Sequence, residues 1–342
     1  MTLPRLALCH APTPLRRYAA LDVWIGCEVW VKRDDMTGGA EAGNKIRKLE
    51  FLLADALAKK ATAILTCGGI QSNHARATAL ACAELGLRSV LFLRVKENLA
   101  TGPSSAAPRG RLPLTGNVLL DRITGAELRL ISPADYAERA ALMETEAVAL
   151  ARKGEVTYVI PEGGSNGLGA MGYVEAMREA RAQMDLGIAG APKRFDVVVM
   201  ACGSGGTAAG TALGAARFGV ADLVRAFAVC DDRAYFERVA AHIIGEARAY
   251  ADLGEPAPIA FDDSSRGPGY GVMSSGQKRF LVATATKTGL VTDPVYTGKA
   301  LFGLKKAVDG GEILSSAKVL FLHTGGLPGL LAQGGDLEEE LP

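Results

Sequence analysis

Two lysines near the start of the chain have the clearest chemical potential. Lys45 and Lys48 lie on either side of Arg47 in Gly43–Glu50, where a predicted helix begins after a β-rich run. The macrodipole makes a helix N-terminus positive, so cations placed there need an anionic partner such as a phosphate. A lysine in cationic surroundings also loses its proton readily, and its neutral amine forms Schiff bases. A solvent-exposed basic helix start is the alternative interpretation.

A glycine-rich loop later in the chain is suited to bind such a phosphate. The predicted strand Phe195–Cys202 is followed by Gly203-Ser204-Gly205-Gly206-Thr207 and then by a small-residue helix. A strand, a glycine-rich turn and a helix start direct backbone N–H groups at a phosphate. The loop lacks the Gly-Lys-Ser/Thr ending of a P-loop, and Ala208 replaces the third glycine of a dinucleotide-binding motif. Asp231 and Asp232 follow the next strand, so a dinucleotide site is weakened rather than excluded. A tight packing turn is the other alternative.

A polar cluster follows another predicted strand. Ser72, Asn73 and His74 come directly after Gly68-Gly69 and a short apolar run. Ser72 or Asn73 would cap the following helix, but capping alone does not explain the whole polar run. Such a cluster could bind a carboxylate or a ring oxygen, whereas His74 alone is more often a surface residue or a satisfied buried one.

Two tyrosines and a threonine also lie at the ends of predicted elements. Tyr270 is surrounded by glycines, Tyr296 directly precedes a helix, and Thr324 follows the last predicted strand. Open α/β sheets bind ligands at the carboxyl ends of their strands. Each residue could serve a turn, but their shared placement favours a binding site.

The elements that must position these residues alternate between strands and helices. Strands are predicted at 27–31, 63–67, 88–93, 127–131, 157–160, 195–202, 224–229 and 319–322. Helices are predicted at 44–59, 72–85, 117–124, 134–153, 170–186, 208–217, 233–248, 275–288 and 298–308, with loops at 99–113 and 254–271. This alternation implies right-handed βαβ crossovers and a doubly wound parallel α/β fold. No linker divides the chain, so a second domain would be inserted within the first.

Composition argues against several function classes. The 342 residues carry a net charge of +1, which argues against nucleic acid as the main partner. No apolar run approaches the roughly 18 residues of a membrane span. Residues 1–17 contain prolines and basic residues and no apolar core of a signal peptide, so none is expected. The six cysteines form no C-x-x-C pair, which favours free thiols in the cytoplasm over disulfides or zinc. The four histidines are dispersed, so no metal site is expected.

Nine short motifs occur together in the order of a known family. They are Pro-Thr-Pro-Leu (12–15), Lys-Arg-Asp-Asp (32–35), Gly-Asn-Lys-Ile-Arg-Lys-Leu-Glu (43–50), Gln-Ser-Asn-His (71–74), Gly-Gly-Ser-Asn-Gly-Leu-Gly (163–169), Gly-Ser-Gly-Gly-Thr (203–207), Pro-Gly-Tyr-Gly (268–271), Asp-Pro-Val-Tyr-Thr-Gly-Lys (293–299) and His-Thr-Gly-Gly (323–326). The set resembles the D-cysteine desulfhydrase and 1-aminocyclopropane-1-carboxylate deaminase family of pyridoxal-phosphate enzymes. That family has the tryptophan synthase β-subunit fold, fold type II. Each motif is weak alone, but nine in register are specific.

The resemblance implies how the cofactor, pyridoxal 5′-phosphate, is held. Lys45 would carry it through a Schiff base. Lys48 and the loop residues Gly203, Ser204, Gly205, Gly206 and Thr207 would hold its phosphate. Asn73 would contact the 3′-oxygen of the ring.

The resemblance also implies the substrate site, for a small amino acid. Ser72 matches the family's catalytic serine, and His74 occupies a position that helps bind the substrate carboxylate, next to Asn73. Tyr270 and Tyr296 match two active-site tyrosines. Lys45 is the first candidate for the base that removes the Cα proton, with a tyrosine assisting.

The family fold implies two domains and a homodimer. Residues 1–45 and 161–342 would form a large cofactor-binding domain, and residues 46–160 a smaller inserted α/β domain. Two departures from the family pattern stand out. Ala42 replaces a usual glycine, for which little effect is expected. The loop 101–113 matches no family motif, and a change in substrate access is expected there.

Two threonines separate the activities within the family. The cyclopropane deaminases have Glu after the second tyrosine, where it keeps the ring nitrogen protonated, and Leu before the last Gly-Gly pair. Here these positions are Thr297 and Thr324, which the resemblance implies are cofactor-binding residues. A hydroxyl does not hold a proton on the ring nitrogen, and elimination of a thiol tolerates the weaker electron sink.

The sequence therefore predicts β-elimination of D-cysteine to pyruvate, hydrogen sulfide and ammonia. Three alternatives stay open. A related lyase would act on another β-substituted alanine, such as cysteate or β-chloro-D-alanine. Cyclopropane deamination is disfavoured, and a phosphate- or nucleotide-binding module without chemistry is remote.

Overall fold

The computed structural model describes residues 3–105 and 112–342, which form an α/β protein with two mostly parallel sheets. The strands are β1 (Leu15–Arg17), β2 (Glu28–Lys32), β3 (Ala63–Gly69), β4 (Arg88–Arg94), β5 (Glu127–Ile131), β6 (Thr157–Val159), β7 (Phe195–Cys202), β8 (Ala221–Ala228), β9 (Ile259–Asp262) and β10 (Lys318–Leu322). The helices are α1 (Ala19–Ile25), α2 (Asn44–Ala58), α3 (Asn73–Glu84), α4 (Gly116–Ile123), α5 (Pro133–Ala137), α6 (Arg139–Ala151), α7 (Gly167–Asp185), α8 (Gly206–Phe218), α9 (Arg233–Ala247), α10 (Ser275–Thr288), α11 (Thr297–Asp309) and α12 (Leu327–Ala332). The predicted doubly wound α/β fold is confirmed.

The larger sheet contains six strands in the order β1-β2-β10-β7-β8-β9. All neighbours are parallel except β1 and β2. Side chains of β7 alternate between two hydrophobic clusters, with Val198 and Met200 in one and Val197 and Val199 in the other. A strand buried on both faces reads as a continuous apolar run, which explains the sequence of β7. The loops after β7 and β10 therefore meet at one edge of this sheet.

The smaller sheet contains four parallel strands in the order β5-β4-β3-β6. Its strands fall within residues 63–159, between β2 and β7 of the larger sheet. Gly69, the last residue of β3, pairs with Arg94, the last residue of β4. The polar cluster after β3 thus begins at the carboxyl edge of this sheet. The limits of the two domains stay a prediction.

Glycines allow three helices to pack closely behind the site. A Cβ added to Gly172 of α7 would lie 2.3 Å from the carbonyl oxygen of Arg47 in α2. A Cβ added to Gly210 of α8 would lie 2.1 Å from the carbonyl oxygen of Ala170 in α7. Neither position tolerates a side chain, since backbone atoms cannot move aside easily. The packing of α7 against both neighbours fixes the start of α2 relative to the start of α8.

Arg47 anchors α2 through a buried charge cluster. Its guanidinium donates to Asp34 Oδ2 at 2.8 Å and to Glu179 Oε2 at 3.0 Å. The hydroxyl of Tyr173 also donates to Asp34 Oδ2, at 2.7 Å. The sequence interpretation placed Arg47 with Lys45 and Lys48 as a third cation for an anion. That interpretation is wrong, because ion pairs with Asp34 and Glu179 already neutralise Arg47.

Several elements differ from their predicted bounds. The helix predicted at 134–153 is two helices, α5 and α6, because Glu138 leaves helical geometry at φ −96° and ψ 19°. The loop predicted at 254–271 contains β9, a four-residue edge strand that pairs with β8 alone. The sequence did not predict α1 or α12. Residues 106–111 of the predicted loop 99–113 lie outside the described residues.

Two kinds of feature are absent from residues 3–105 and 112–342. No helix there is both long and apolar enough to cross a membrane. No three His, Cys, Asp or Glu side chains there group together as metal ligands. All six cysteines are free thiols.

Candidate active site

Lys45 lies in the first turn of α2 and lines two adjoining cavities. Gly43, with φ 123°, turns the chain into the helix, and the N–H of Asn44 donates to the carbonyl of Thr324 at 3.1 Å. Within the described residues, no hydrogen-bond acceptor holds the amine of Lys45. Burial lowers the pKa of Lys45 to about 8, against the opposing charge of Glu162. A substantial neutral fraction is therefore present near neutral pH, as a nucleophile or a base requires.

Lys48 lies one turn further into α2 and is held differently. Its amine donates to the carbonyl of Gly163 at 3.1 Å and to the hydroxyl of Ser165 at 3.2 Å. Burial, together with the charge of Lys45, lowers the pKa of Lys48 well below its usual value. A Cβ added to Gly206 would lie 2.9 Å from Lys48 Nζ, so this amine lies directly against the start of α8. The lowered pKa and the position against α8 both fit a lysine that gains its charge when an anion binds.

The loop after β7 forms a cradle at the N-terminus of α8. Gly205 adopts φ 80°, which is in the left-handed region that glycine favours. The hydroxyls of Ser204 and Ser165 lie 2.8 Å apart, and Asn44 Nδ2 donates to Thr207 Oγ1 at 3.0 Å. Backbone N–H groups at a helix N-terminus and a nearby lysine are the usual elements of a phosphate site. The loop residues and Lys48 thus lie together as the sequence predicts for an anion.

Ser72 and Asn73 both have partners at the start of α3. Ser72 caps the helix, because its hydroxyl accepts from the N–H of Ala75 at 3.2 Å. Asn73 Oδ1 accepts from Asn117 Nδ2 at 3.1 Å. Asn73 lines the same cavity as Lys45 and the Gly203–Thr207 loop, hereafter the phosphate loop. Ser72 instead lines the larger neighbouring cavity.

His74 is a neutral side chain in the larger cavity. Burial and the charges of Lys45 and Lys48 lower its pKa well below the usual value. Thr66 Oγ1 donates its proton to the carbonyl of Ile160, so it accepts from His74 Nε2 at 2.9 Å. The remaining atom, Nδ1, then carries a lone pair, and it has no partner among the described residues. We therefore expect His74 to contribute to carboxylate binding through its backbone N–H.

Tyr270 and Tyr296 form a hydrogen-bonded pair in the wall of the larger cavity, which Lys45 also lines. Their hydroxyls lie 2.7 Å apart, and both rings line the larger cavity. A Cβ on Gly69 would lie 3.0 Å from the Tyr270 ring, and one on Gly203 would lie 3.0 Å from the Tyr296 ring. Burial raises the pKa of Tyr270 to about 12 and that of Tyr296 well above its usual value. Both hydroxyls therefore keep their protons at physiological pH.

Comparison with known proteins identifies the group for which this cradle is built. The profile of the family described as pyridoxal-phosphate dependent enzyme matches residues 6–325. The chain belongs to this family.

The chain is also similar to individual proteins over most of its length. The bifunctional D-cysteine desulfhydrase/1-aminocyclopropane-1-carboxylate deaminase of Arabidopsis thaliana is 41% identical over 95% of this chain and 78% of the relative. The D-cysteine desulfhydrase of Salmonella schwarzengrund is 38% identical over 96% of both chains. A solved structure described as an ACC deaminase homologue is 35% identical, with a TM-score of 0.85 over 99% of this chain and 97% of that one.

The residues around the cradle fit pyridoxal phosphate. Lys48, the Gly203–Thr207 loop and Ser165 would hold the phosphate, and Lys45 would bond the aldehyde. Thr324 lines the same cavity as Lys45 and the loop, so it would lie near the bound cofactor. No carboxylate lines this cavity among the described residues.

Thr297 lies apart from the other predicted cofactor residues. Its hydroxyl donates to Asp293 Oδ1 at 2.6 Å and accepts from the N–H of Asp293 at 2.9 Å. Asp293 Oδ2 in turn accepts from the N–H groups of Val295 and Tyr296, each at 2.9 Å. Thr297 is fully buried and is not part of the cavity lining. Its visible contribution is to fix the turn that presents Tyr296.

The larger cavity measures about 820 Å³ and contains residues that sequence reasoning missed. Glu162 accepts from the hydroxyl of Tyr136 at 2.7 Å and pairs with Arg139 at 3.1 Å. Arg94 also lines this cavity. These residues come from β4, the two helices after β5 and the turn after β6, so no local motif joins them. The sequence signal near them is Pro161-Glu162, which directly precedes the motif at 163–169.

Proposed function

We propose that this protein is a D-cysteine desulfhydrase. It eliminates hydrogen sulfide from D-cysteine, and the remaining aminoacrylate is hydrolysed to pyruvate and ammonia. The names of the relatives from Arabidopsis thaliana and Salmonella schwarzengrund support this activity over nearly the whole chain.

The neutral lining around Thr324 is the observation that favours β-elimination over cyclopropane deamination. A carboxylate beside the ring nitrogen would keep that nitrogen protonated and strengthen electron withdrawal. Opening a cyclopropane that has no α-hydrogen needs such strength, whereas loss of a thiol needs less. Among the described residues, the cavity that contains Lys45 and Thr324 has no acidic side chain. The lining therefore favours elimination.

The chain supplies the proton transfers and the binding. When bound, pyridoxal phosphate withdraws the electrons left on Cα. Lys45 takes the Cα proton, because burial leaves its amine partly neutral. The Cα–H electron pair becomes the Cα–Cβ double bond, and sulfur departs with the electrons of the Cβ–S bond. The Tyr270–Tyr296 pair, which is protonated, donates a hydrogen bond toward the departing group. The N-terminus of α3, at Ser72–His74, binds the substrate carboxylate.

One set of assays tests the proposal. The purified holoenzyme is incubated separately with D-cysteine, L-cysteine, L-cysteate and 1-aminocyclopropane-1-carboxylate. Pyruvate, 2-oxobutyrate, sulfide and sulfite are then measured. We expect pyruvate and sulfide in equal amounts from D-cysteine, with the highest kcat/KM of the set. A higher kcat/KM for any other substrate would replace the proposal, and no product from any of them would contradict the enzyme assignment.

We also propose that the protein is a homodimer. Apolar side chains on two helices that pack together support this, since Ile123 of α4 and Leu331 of α12 are each 70% exposed. Light scattering on the purified protein measures the mass, and a monomer at micromolar concentration would contradict the proposal. Localisation in the cytoplasm stays a prediction, which cell fractionation would test.

A further inference from the structure

Arg94 lies in a stack of alternating cationic and aromatic groups along the wall of the larger cavity. Its guanidinium carbon is 4.9 Å from the ring centre of Tyr136 and 5.6 Å from that of Tyr270. The guanidinium of Arg139 is 4.9 Å from the Tyr136 ring. Tyr270 then bonds to Tyr296. The stack therefore ends at the Tyr270–Tyr296 pair, in the same cavity that Lys45 lines.

Arg94 differs from Arg139 in having no ion-pair partner among the described residues. Arg139, in the same stack, pairs with Glu162 at 3.1 Å and donates to the carbonyl of Tyr136 at 3.1 Å. By contrast, no carboxylate or hydrogen-bond acceptor pairs with the guanidinium of Arg94 within residues 3–105 and 112–342. Arg94 is only partly buried and lines the cavity. The Arg94 guanidinium, which carries five N–H donors, thus lies against two aromatic rings in the wall of an open cavity.

The substrate carboxylate has another binding place. Gly69 and Arg94 are paired at the ends of neighbouring strands, and the N-terminus of α3 begins directly after Gly69. Helix N–H groups bind a carboxylate there without a side-chain cation. The Arg94 guanidinium is instead stacked against the Tyr270 ring, on the tyrosine side of the cavity. It is therefore suited to a second anionic part of the ligand.

We propose that Arg94 is a specificity-determining residue that binds negative charge on the β-substituent of the substrate. This inference rests on the proposed β-elimination and names the feature of the substrate that the site recognises. In D-cysteine the charge develops as the Cβ–S bond breaks and sulfur departs with the bonding pair, as hydrosulfide. In a sulfonate substrate the charge is present before reaction. An arginine fixed between two rings stabilises either charge.

The first experiment measures binding without chemistry. Titration calorimetry on the holoenzyme compares 3-sulfopropanoate with butanoate, which carries a methyl group in place of the sulfonate. Neither compound has an amine, so neither bonds the cofactor. We expect wild type to prefer the sulfonate by about tenfold or more, as befits a hydrogen bond to a charged group, and Arg94→Met to reduce that preference to about threefold or less. An unchanged ratio in Arg94→Met would overturn the inference, and so would an equal loss of both ligands.

The second experiment separates a permanent charge from a developing one. Arg94→Met should lower kcat for D-cysteine by about tenfold to a hundredfold. It should lower kcat for β-chloro-D-alanine by about threefold or less, since chloride is a weakly basic leaving group. Wild-type turnover of cysteate, with a KM that rises in Arg94→Met, would identify a sulfonate as the charged group instead. Equal losses of kcat on D-cysteine and β-chloro-D-alanine would overturn the inference.

Two control variants separate charge from structure. Arg88→Met changes the first residue of the same strand, whose partners are Glu127 and Glu155 at the surface. It should leave unchanged both the preference for 3-sulfopropanoate over butanoate and the ratio of kcat for D-cysteine to kcat for β-chloro-D-alanine. Arg94→Lys keeps the charge but loses the flat group that stacks, and should retain part of the preference. If wild type releases no sulfide from D-cysteine, the proposed function fails, but the calorimetric ratio still decides the role of Arg94.

Discussion

The hydroxyls of Tyr270 and Tyr296 lie 2.7 Å apart, although the two residues are 26 positions apart in the chain. Tyr270 packs on Gly69 at the end of β3, and Tyr296 packs on Gly203 at the start of the phosphate loop. The pair therefore connects the edges of both sheets within the cavity that Lys45 lines. Because burial raises the pKa of each tyrosine, both hydroxyls keep their protons at physiological pH, and neither residue is a phenolate.

Replacement of Tyr296 by Phe should slow elimination more than it weakens binding. The change removes one hydroxyl and leaves that of Tyr270 buried without its partner. We expect kcat for D-cysteine to fall by about a hundredfold with a smaller change in KM, as for loss of an acid–base group. Steady-state assays of pyruvate release measure both constants. Tyr250→Phe, a change at a residue 40% exposed, is the matched control and should behave as wild type. Full kcat in Tyr296→Phe would exclude the pair from the reaction.

The pKa of Lys45 predicts how cofactor attachment depends on pH. Only the neutral amine attacks the aldehyde, and burial lowers the pKa to about 8. The rate of attachment to the apoprotein should therefore rise about tenfold per pH unit below that pKa and level off above it. Stopped-flow absorbance of the lysine-bound cofactor measures this rate. Lys45→Ala should show no such band and no turnover. A rate that still rises steeply well above pH 8 would show that the amine is not desolvated.

Lys48→Ala separates charge balance from covalent chemistry. Lys48 has a strongly lowered pKa while no anion is present, because burial and Lys45 disfavour its charge. A bound phosphate reverses that preference, so cofactor binding should take up a proton and weaken as pH rises. Calorimetry in buffers of different ionisation enthalpy measures the proton uptake. We expect Lys48→Ala to lose this uptake and about tenfold or more in cofactor affinity, yet to retain the lysine-bound absorbance when saturated. Loss of that absorbance at saturation would assign Lys48 a covalent role.

The sequence predicts the site best where a residue acts with its own neighbours in the chain. Strand–loop–helix junctions predict the Gly203–Thr207 cradle and the Ser72–His74 cluster. Helix capping and phosphate binding depend on residues that are adjacent in the chain, so the sequence shows them directly. Arg47 was misassigned because its partners, Asp34 and Glu179, are distant in sequence.

Long-range packing accounts for the rest. The stack of Arg94, Tyr136 and Arg139 joins β4 to the helices α5 and α6, so it leaves no periodic pattern in the sequence. Thr297 matched the family motif, but its position was set by a hydrogen bond to Asp293, four residues before it. A motif thus identifies candidate site residues, whereas tertiary packing determines whether their side chains line the site.

Arg47→Met should cost stability rather than chemistry. Burial would raise the pKa of Asp34, but the charge and hydrogen bonds of Arg47 outweigh burial and hold that pKa below its usual value. Removing Arg47 leaves a fully buried carboxylate without its counter-ion. We therefore expect the free energy of unfolding in urea to fall by about 3–5 kcal/mol at neutral pH. Arg178→Met, a change at an arginine in an exposed pair with Glu175, should cost about 1 kcal/mol or less.

The pH dependence distinguishes this buried pair from simple loss of packing. A carboxyl with a lowered pKa in the folded state stabilises the protein above its unfolded pKa, and that stability is lost as pH falls through the folded pKa. Wild type should therefore lose stability on acidification where Asp34 titrates, and Arg47→Met should lose less because its stabilising pair is already gone. The double variant Asp34→Asn/Arg47→Met should be more stable than Arg47→Met, since it removes the unpaired charge. If the double variant were the less stable of the two, the charge of Asp34 would not be the source of the cost.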